Sequence, residues 1–171
     1  MMRGVPLEIR PSRAGDGEPL ARVHERCWCI SYAGIADPAW IVDRPFDDRV
    51  AEWERYAMGG GAPMWVADDD GAVIGEVAAG ASRDAEAPEW TGELLAIYVD
   101  PDRQGAGVGS ALLERAVAEL RRAGHQRATL WTFGNNPRAT AFYERHGWRA
   151  DGTVRAEQRF GSPEVRYARE L

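Results

Sequence analysis

The chain contains no lysine; all 21 of its basic side chains are arginine. That absence removes the phosphate-gripping lysine of a P-loop, a lysine Schiff base and a lysine general base. Cysteine is nearly as scarce, with only Cys27 and Cys29 among 171 residues. Two residues apart on a helix, they do not face each other, and a zinc site wants more ligands than this pair offers. Both are expected to be buried or half-buried thiols of a cytosolic protein. The three histidines lack metal-ligand spacing, so no metal is expected. No run approaches the ~18 apolar residues of a membrane span, and "MMRGVPLEIRPSRAG" lacks the apolar stretch of a signal peptide. A cytoplasmic location with no membrane partner follows as the expectation.

An excess of positive charge is missing too. The formal net charge is −6, which argues against a nucleic-acid partner. A local anion site stays open, because backbone N–H groups build one without net basicity. The length suits one domain of the usual ~100–200 residues, expected to span 1–171 and to bury a real core.

The pattern along the chain is mixed. "LEIR" (Leu7–Arg10) reads as a first strand. A helix is expected from about Gly17 to Tyr32, with Leu20, Val23, Cys27 and Ile30 near helical spacing. A short helical turn in "ADPAWIV" and a helix over Phe46–Ala57 follow. "MWVADDDGAVIGEVAAGAS" reads as two strands joined at Asp-Gly, a hairpin signal, and Gly92–Asp100 as a third. "GSALLERAVAELRRAG" is the clearest helix, its apolar face running from Val108 to Leu120 and Gly124 its stop. "RATLWTF" is a strand. "NPRATAFYERHG" is a short helix with Asn136 as N-cap and Pro137 at its first position. "TVRAEQRF" and "EVRYAREL" read as two closing strands, the last of them exposed. Hairpin-linked strands with crossover helices imply an α+β fold: a mixed, mostly antiparallel sheet of about seven strands with helices on both faces.

The stretch "VDPDRQGAGVGSALLERA" carries the chemistry. Gly105, Gly107 and Gly109 alternate directly ahead of a helix. The spacing is not G-x-G-x-x-G, and no acidic residue ends the next strand, so a dinucleotide site is disfavoured. Glycines let backbone N–H groups approach a ligand, and the helix N-terminus favours an anion. A plain strand-to-helix turn requires fewer glycines.

Two motifs in this chain resemble signatures of the GNAT superfamily of N-acetyltransferases. One is Gln104-Gly105-Ala106-Gly107-Val108-Gly109 after Val99-Asp100-Pro101. The other is "NNPRATAFYERHGW". The element order is similar to that superfamily's acyl-CoA N-acyltransferase fold across essentially the whole chain. The resemblance implies an enzyme that transfers acetyl from acetyl-CoA to a primary amine by direct attack in a ternary complex. It implies that backbone groups from Gln104 to Ser110 hold the pyrophosphate. Ile97, Tyr98 and Val99 would pair with the pantetheine arm and supply an N–H that polarises the thioester carbonyl. Asn136 and Ala139 would contact the cofactor, and Tyr143, on the same helix face, would protonate the leaving thiolate. Arg138 is a further candidate for a CoA phosphate. The same resemblance implies a possible homodimer, for which the last strand is a candidate surface.

The resemblance implies a general base at the start of the Gly92–Asp100 strand, which makes Glu93 the favoured candidate, with Glu76 and His24 as weaker ones. In a regular strand, Glu93, Leu95, Ile97 and Val99 share one side; a bulge would change that parity. Trp28 and Tyr32, four apart, form either core or an acceptor pocket, and Asp47 and Asp48 either attract a cationic substrate or serve as first-turn charges. The cysteines are expected away from the cleft, against a ping-pong route. The acceptor is a small-molecule or peptide amine not otherwise specified. A non-catalytic acyl-CoA-binding domain and a nucleotide-dependent oxidoreductase are the rival readings.

Overall fold

In a computed structural model, residues 7–156 and 162–171 are described. Two mostly buried strands, β2 (Met64–Asp69) and β3 (Ala72–Ala81), rich in small residues and valine, form a hairpin. Its two-residue turn, Asp70-Gly71, has φ of 55° and 86°, the left-handed pair that the twist of a tight hairpin demands. β1 (Glu8–Pro11) pairs with β2, and β4 (Thr91–Val99) with β3, all antiparallel. The chain crosses over through α4 (Val108–Arg122) and returns as β5 (Arg127–Phe133), parallel to β4. α5 (Pro137–Arg145), β6 (Arg149–Arg155) and β7 (Glu164–Glu170) complete a seven-stranded sheet in the order β1-β2-β3-β4-β5-β7-β6. The mixed, mostly antiparallel α+β sheet is the expected one.

Helices cover both faces. α4 buries Val108, Leu112, Leu113, Ala116, Val117 and Leu120 against Leu94 and Leu130. Each large side chain there contributes about 1.5–3 kcal/mol. On the other face, α1 (Gly17–Arg26) and α3 (Phe46–Ala57) pack over Val66, Val73 and Ala78, and α2 (Ala39–Val42) lies between them in sequence. Arg10 binds these parts together. It donates to both Asp16 oxygens at 2.8 and 2.9 Å and to Asp68 Oδ2 at 2.8 Å. Burial pushes Asp16 up, but the bonds from Arg10 and the Arg13 N–H outweigh it and hold the carboxyl below its ordinary value.

Four expectations are corrected. The first helix does not run uniformly to Tyr32: α1 ends at Arg26 and Cys27–Ser31 is a π-helical turn, closed by Tyr32 N–H to Cys27 O at 3.0 Å. The wider turn rotates the inward face. Trp28 is buried, whereas Ile30 is 54% exposed. Cys29 is exposed rather than buried, because it points opposite to buried Cys27. The closing strands also differ. β6 begins at Arg149, and residues 157–160 of "TVRAEQRF" lie outside the described residues. The last strand is no edge: β7 sits between β5 and β6, so β6 is the outer strand. Of the two alternatives left open for β4, the strand takes the bulged one. Ala78 pairs with Ala96 but Ala79 with Leu94, leaving Leu95 as the extra residue. Glu93, Leu95, Ile97 and Val99 therefore do not share a side. Ile97 and Val99 pack on the α4 core, while Leu95 and Ala96 pack under α1 and α3.

Candidate active site

The sheet opens at its centre. Parallel pairing of β4 with β5 runs from Thr91↔Arg127 to Leu94↔Leu130 and stops there, directly before the Leu95 bulge. β5 continues alongside β7 to Phe133↔Glu164. A bulge increases local twist and ends pairing, so the end of β4 splays from β5 and leaves a notch.

One cavity, of about 380 Å³, fills the α4–α5 side of this notch. The loop before α4 forms its floor. Gly105 and Gly107 have φ of 84° and 87°, and a Cβ at either would meet nothing within 4 Å. Glycine is required there by backbone conformation rather than by space. Gly107 is the N-cap of α4, whose first N–H groups have no intrahelical acceptor. Gly105, Gly107, Gly109, Ser110, Ile97, Val99, Asn136, Ala139 and Tyr143 line this cavity, together with Arg138 and Arg145. Their geometry suits an elongated ligand with an anionic end. Asn136 Oδ1 accepts from Ala139 N–H at 3.1 Å, capping α5. Gln104 lines the cavity, but its Nε2 donates to Val99 O at 2.9 Å and Ser31 Oγ at 3.0 Å, pinning the loop to the strand end. Of the other residues anticipated here, Val108 is buried core, Ala106 is exposed and Tyr98 faces the other side of the sheet.

A second cavity, of about 850 Å³, opens on the α1–α3 side. Glu93 lines it with a side chain only 2% exposed. It is not the solvated residue that a strand start suggests. Arg83 N–H donates to Glu93 Oε2 at 2.7 Å and the Arg83 guanidinium to Oε1 at 3.2 Å. Trp28 and Tyr32 also line this cavity, with ring centroids 5.0 Å apart and edge-to-face. His24 lines it too, but its Nε2 accepts from Trp28 Nε1 at 3.1 Å. Burial and the field of Arg49 lower its pKa to about 3, which makes it a poor base. Glu76 is fully buried, lines neither cavity, and burial raises its pKa to about 8. Asp47 and Asp48 stand in the first turn of α3, outside both linings.

The two cavities share walls. Tyr32, Ile97, Ala139 and Tyr143 line both. Burial raises the Tyr143 phenol well above its usual range, so it stays a proton donor. Cys27 is closer to this place than expected: its thiol donates to Val99 O at 3.2 Å. Burial pushes that thiol up to about 12, and the thiolate is the nucleophile, so Cys27 is unreactive. Sequence reasoning missed Ser31, Arg83 and Arg145. Ser31 and Arg83 reach the site through the π-helical turn and the long β3–β4 connection, neither of which has a local sequence signal. Arg145, two turns of α5 beyond Arg138, was readable from helical spacing.

The splayed seven-stranded sheet over a glycine-capped helix is the N-acyltransferase fold. The PaiA N-acetyltransferase of Thermoplasma acidophilum, solved with coenzyme A, has it: TM-score 0.74 at 22% identity, covering 98% of this chain and 100% of that one. The acetyltransferase (GNAT) family model matches residues 23–148. "Probable N-acetyltransferase Rv2775" of Mycobacterium tuberculosis is 30% identical over 156 residues, 88% of this chain and 84% of that protein. Mycothiol acetyltransferase of Beutenbergia cavernae is 41% identical over 86 residues, which is 50% of this chain and 28% of that protein. The chain belongs to the GNAT acetyltransferase family. No helix among the described residues is long and apolar enough to cross a membrane.

Proposed function

We propose that this chain is a single N-acetyltransferase domain that moves an acetyl group from acetyl-CoA to a primary amine in one direct step. The observation that carries the reading is the meeting of two cavities at Tyr32, Ile97, Ala139 and Tyr143. The smaller suits the cofactor: left-handed glycines, a helix N-terminus and two arginines face an anionic end, and the neighbouring fold of PaiA holds coenzyme A. Acetyl-CoA supplies an acyl group activated as a thioester. The larger cavity receives the amine.

In this reading Glu93 takes a proton from the incoming ammonium, directly or through a water. The amine nitrogen forms the new N–C bond as the C–S bond breaks. A backbone N–H within Ile97–Val99, freed where β4 leaves β5, stabilises negative charge growing on the carbonyl oxygen. Tyr143 Oη gives its proton to the departing thiolate, and the second proton shed by the nitrogen restores it through water. Cys27, buried and protonated, has no covalent role. Glu76 and His24 take no part in the proton transfers.

The test is release of free CoA thiol from acetyl-CoA against a panel of amines, with calorimetry of acetyl-CoA and NAD in parallel. Acetyl-CoA should bind and at least one amine class should release thiol. Binding of NAD in its place, or acetyl-CoA binding with no turnover of any amine, would overturn the proposal.

A further inference from the structure

The larger cavity is lined by four arginines and four carboxylates, and three of the arginines are satisfied within it. Arg44 pairs with Glu52 at 2.7 Å, Arg83 with Glu93 at 3.2 Å and Arg155 with Glu164 at 2.7 Å. Arg49 is different. Its side chain is 6% exposed, and its ion pair is with Glu25, 3.3 Å away, which is not a lining residue. Its Nε and Nη1 are buried without a hydrogen-bond partner. The Phe46 ring, 5.1 Å from the guanidinium carbon, offers a face but no acceptor oxygen. A guanidinium has five donors in a planar fork, and a buried one left unbonded is costly. Its geometry matches a carboxylate. Beside it, the walls are aromatic: Trp53, Trp28 and Tyr98 line the same cavity. The same lining holds Glu93, Glu164 and Asp84, paired with Arg83, Arg155 and Arg166 respectively.

Building on the reading of this cavity as the acceptor site, we propose that the acceptor is a free amino acid with an apolar side chain, its carboxylate held by Arg49. The ammonium group then points to Glu93, the base of the proposed reaction, and the apolar body lies against the aromatic wall. Arg49 is a specificity residue here and takes no part in the chemistry.

The experiment compares kcat/KM, by thiol release, for L-phenylalanine, L-leucine and L-tryptophan with their methyl esters and with phenethylamine, isoamylamine and tryptamine. A site built to bond a charged group rejects analogues lacking it, so the acids should be preferred by roughly 10²-fold or more. In Arg49→Met that preference should collapse, with acetyl-CoA affinity by calorimetry unchanged, because Arg49 lines only the larger cavity. Esters and simple amines turned over as well as the acids would overturn this inference and leave the transferase reading standing. Acetyl-CoA binding with turnover of other amines but not of amino acids would do the same. Failure to bind acetyl-CoA would sink both. If Arg49→Met does not fold, the acid-to-ester ratio of the wild-type protein decides by itself.

Discussion

The N–H of Arg83 holds Glu93 Oε2 at 2.7 Å, so a backbone group fixes the carboxylate while the Arg83 side chain, 66% exposed, only leans on it. Exposed ion pairs contribute little. Arg83→Ala should therefore lower kcat by a factor of roughly 5 or less. Glu93→Gln should lower it by about 10²–10⁴. Steady-state thiol release on the two variants checks the contrast; equal losses would move the base elsewhere.

Tyr143→Phe should lower kcat by about 10²–10⁴ and leave acetyl-CoA affinity near wild type. Because burial raises this phenol, wild-type kcat should show no alkaline fall due to Tyr143 up to about pH 10, the ordinary phenol value. A pH–rate profile with an alkaline limb that disappears in Tyr143→Phe would contradict the assignment.

Gly107→Ala tests the loop. The space is open but φ is 87°, so the added Cβ brings about 1–2 kcal/mol of backbone strain. Relief of that strain turns the α4 N–H groups from the ligand. Acetyl-CoA affinity should fall about tenfold, read by calorimetry, while circular dichroism of the folded protein stays unchanged.

Glu76 makes a pH prediction. Its oxygens have no hydrogen-bond partner, and its pKa rises from 4.5 to about 8 through burial. The folded state then holds a proton that the unfolded chain has lost, so this group costs stability increasingly as pH rises from about 4.5 to about 8. Glu76→Gln should match wild type at pH 4 and exceed it by about 2–4 kcal/mol at pH 8. Urea unfolding at a series of pH values checks it; a constant offset would be the contrary result.

Arg10 binds two carboxylates with its own side chain nearly buried. Arg10→Met leaves Asp16 and Asp68 without that partner and should destabilise the fold by about 3–5 kcal/mol, measured by urea unfolding at pH 7. A loss under about 1 kcal/mol, the scale of a surface pair, would show that water replaces the arginine.

Much of this protein was readable locally. Helical spacing from Val108 to Leu120, the Asp70-Gly71 turn, the Asn136-Pro137 helix start and the alternating glycines are choices that neighbouring residues make together. They depend on backbone conformation and period, which a sequence determines within a few residues. The site needed the tertiary structure. The Leu95 bulge reverses the side that Glu93 occupies, and no residue near it announces an extra position in the ladder. The π-helical turn carries Ile30 out and Trp28 in, because one added residue per turn rotates everything after it. Arg83 reaches Glu93, and Arg49 is left without a carboxylate inside its cavity, only because strands and helices far apart in the chain come together there. Local conformation is governed by nearest neighbours; burial, pairing and the remaining valence of a charged group are governed by what packs against it.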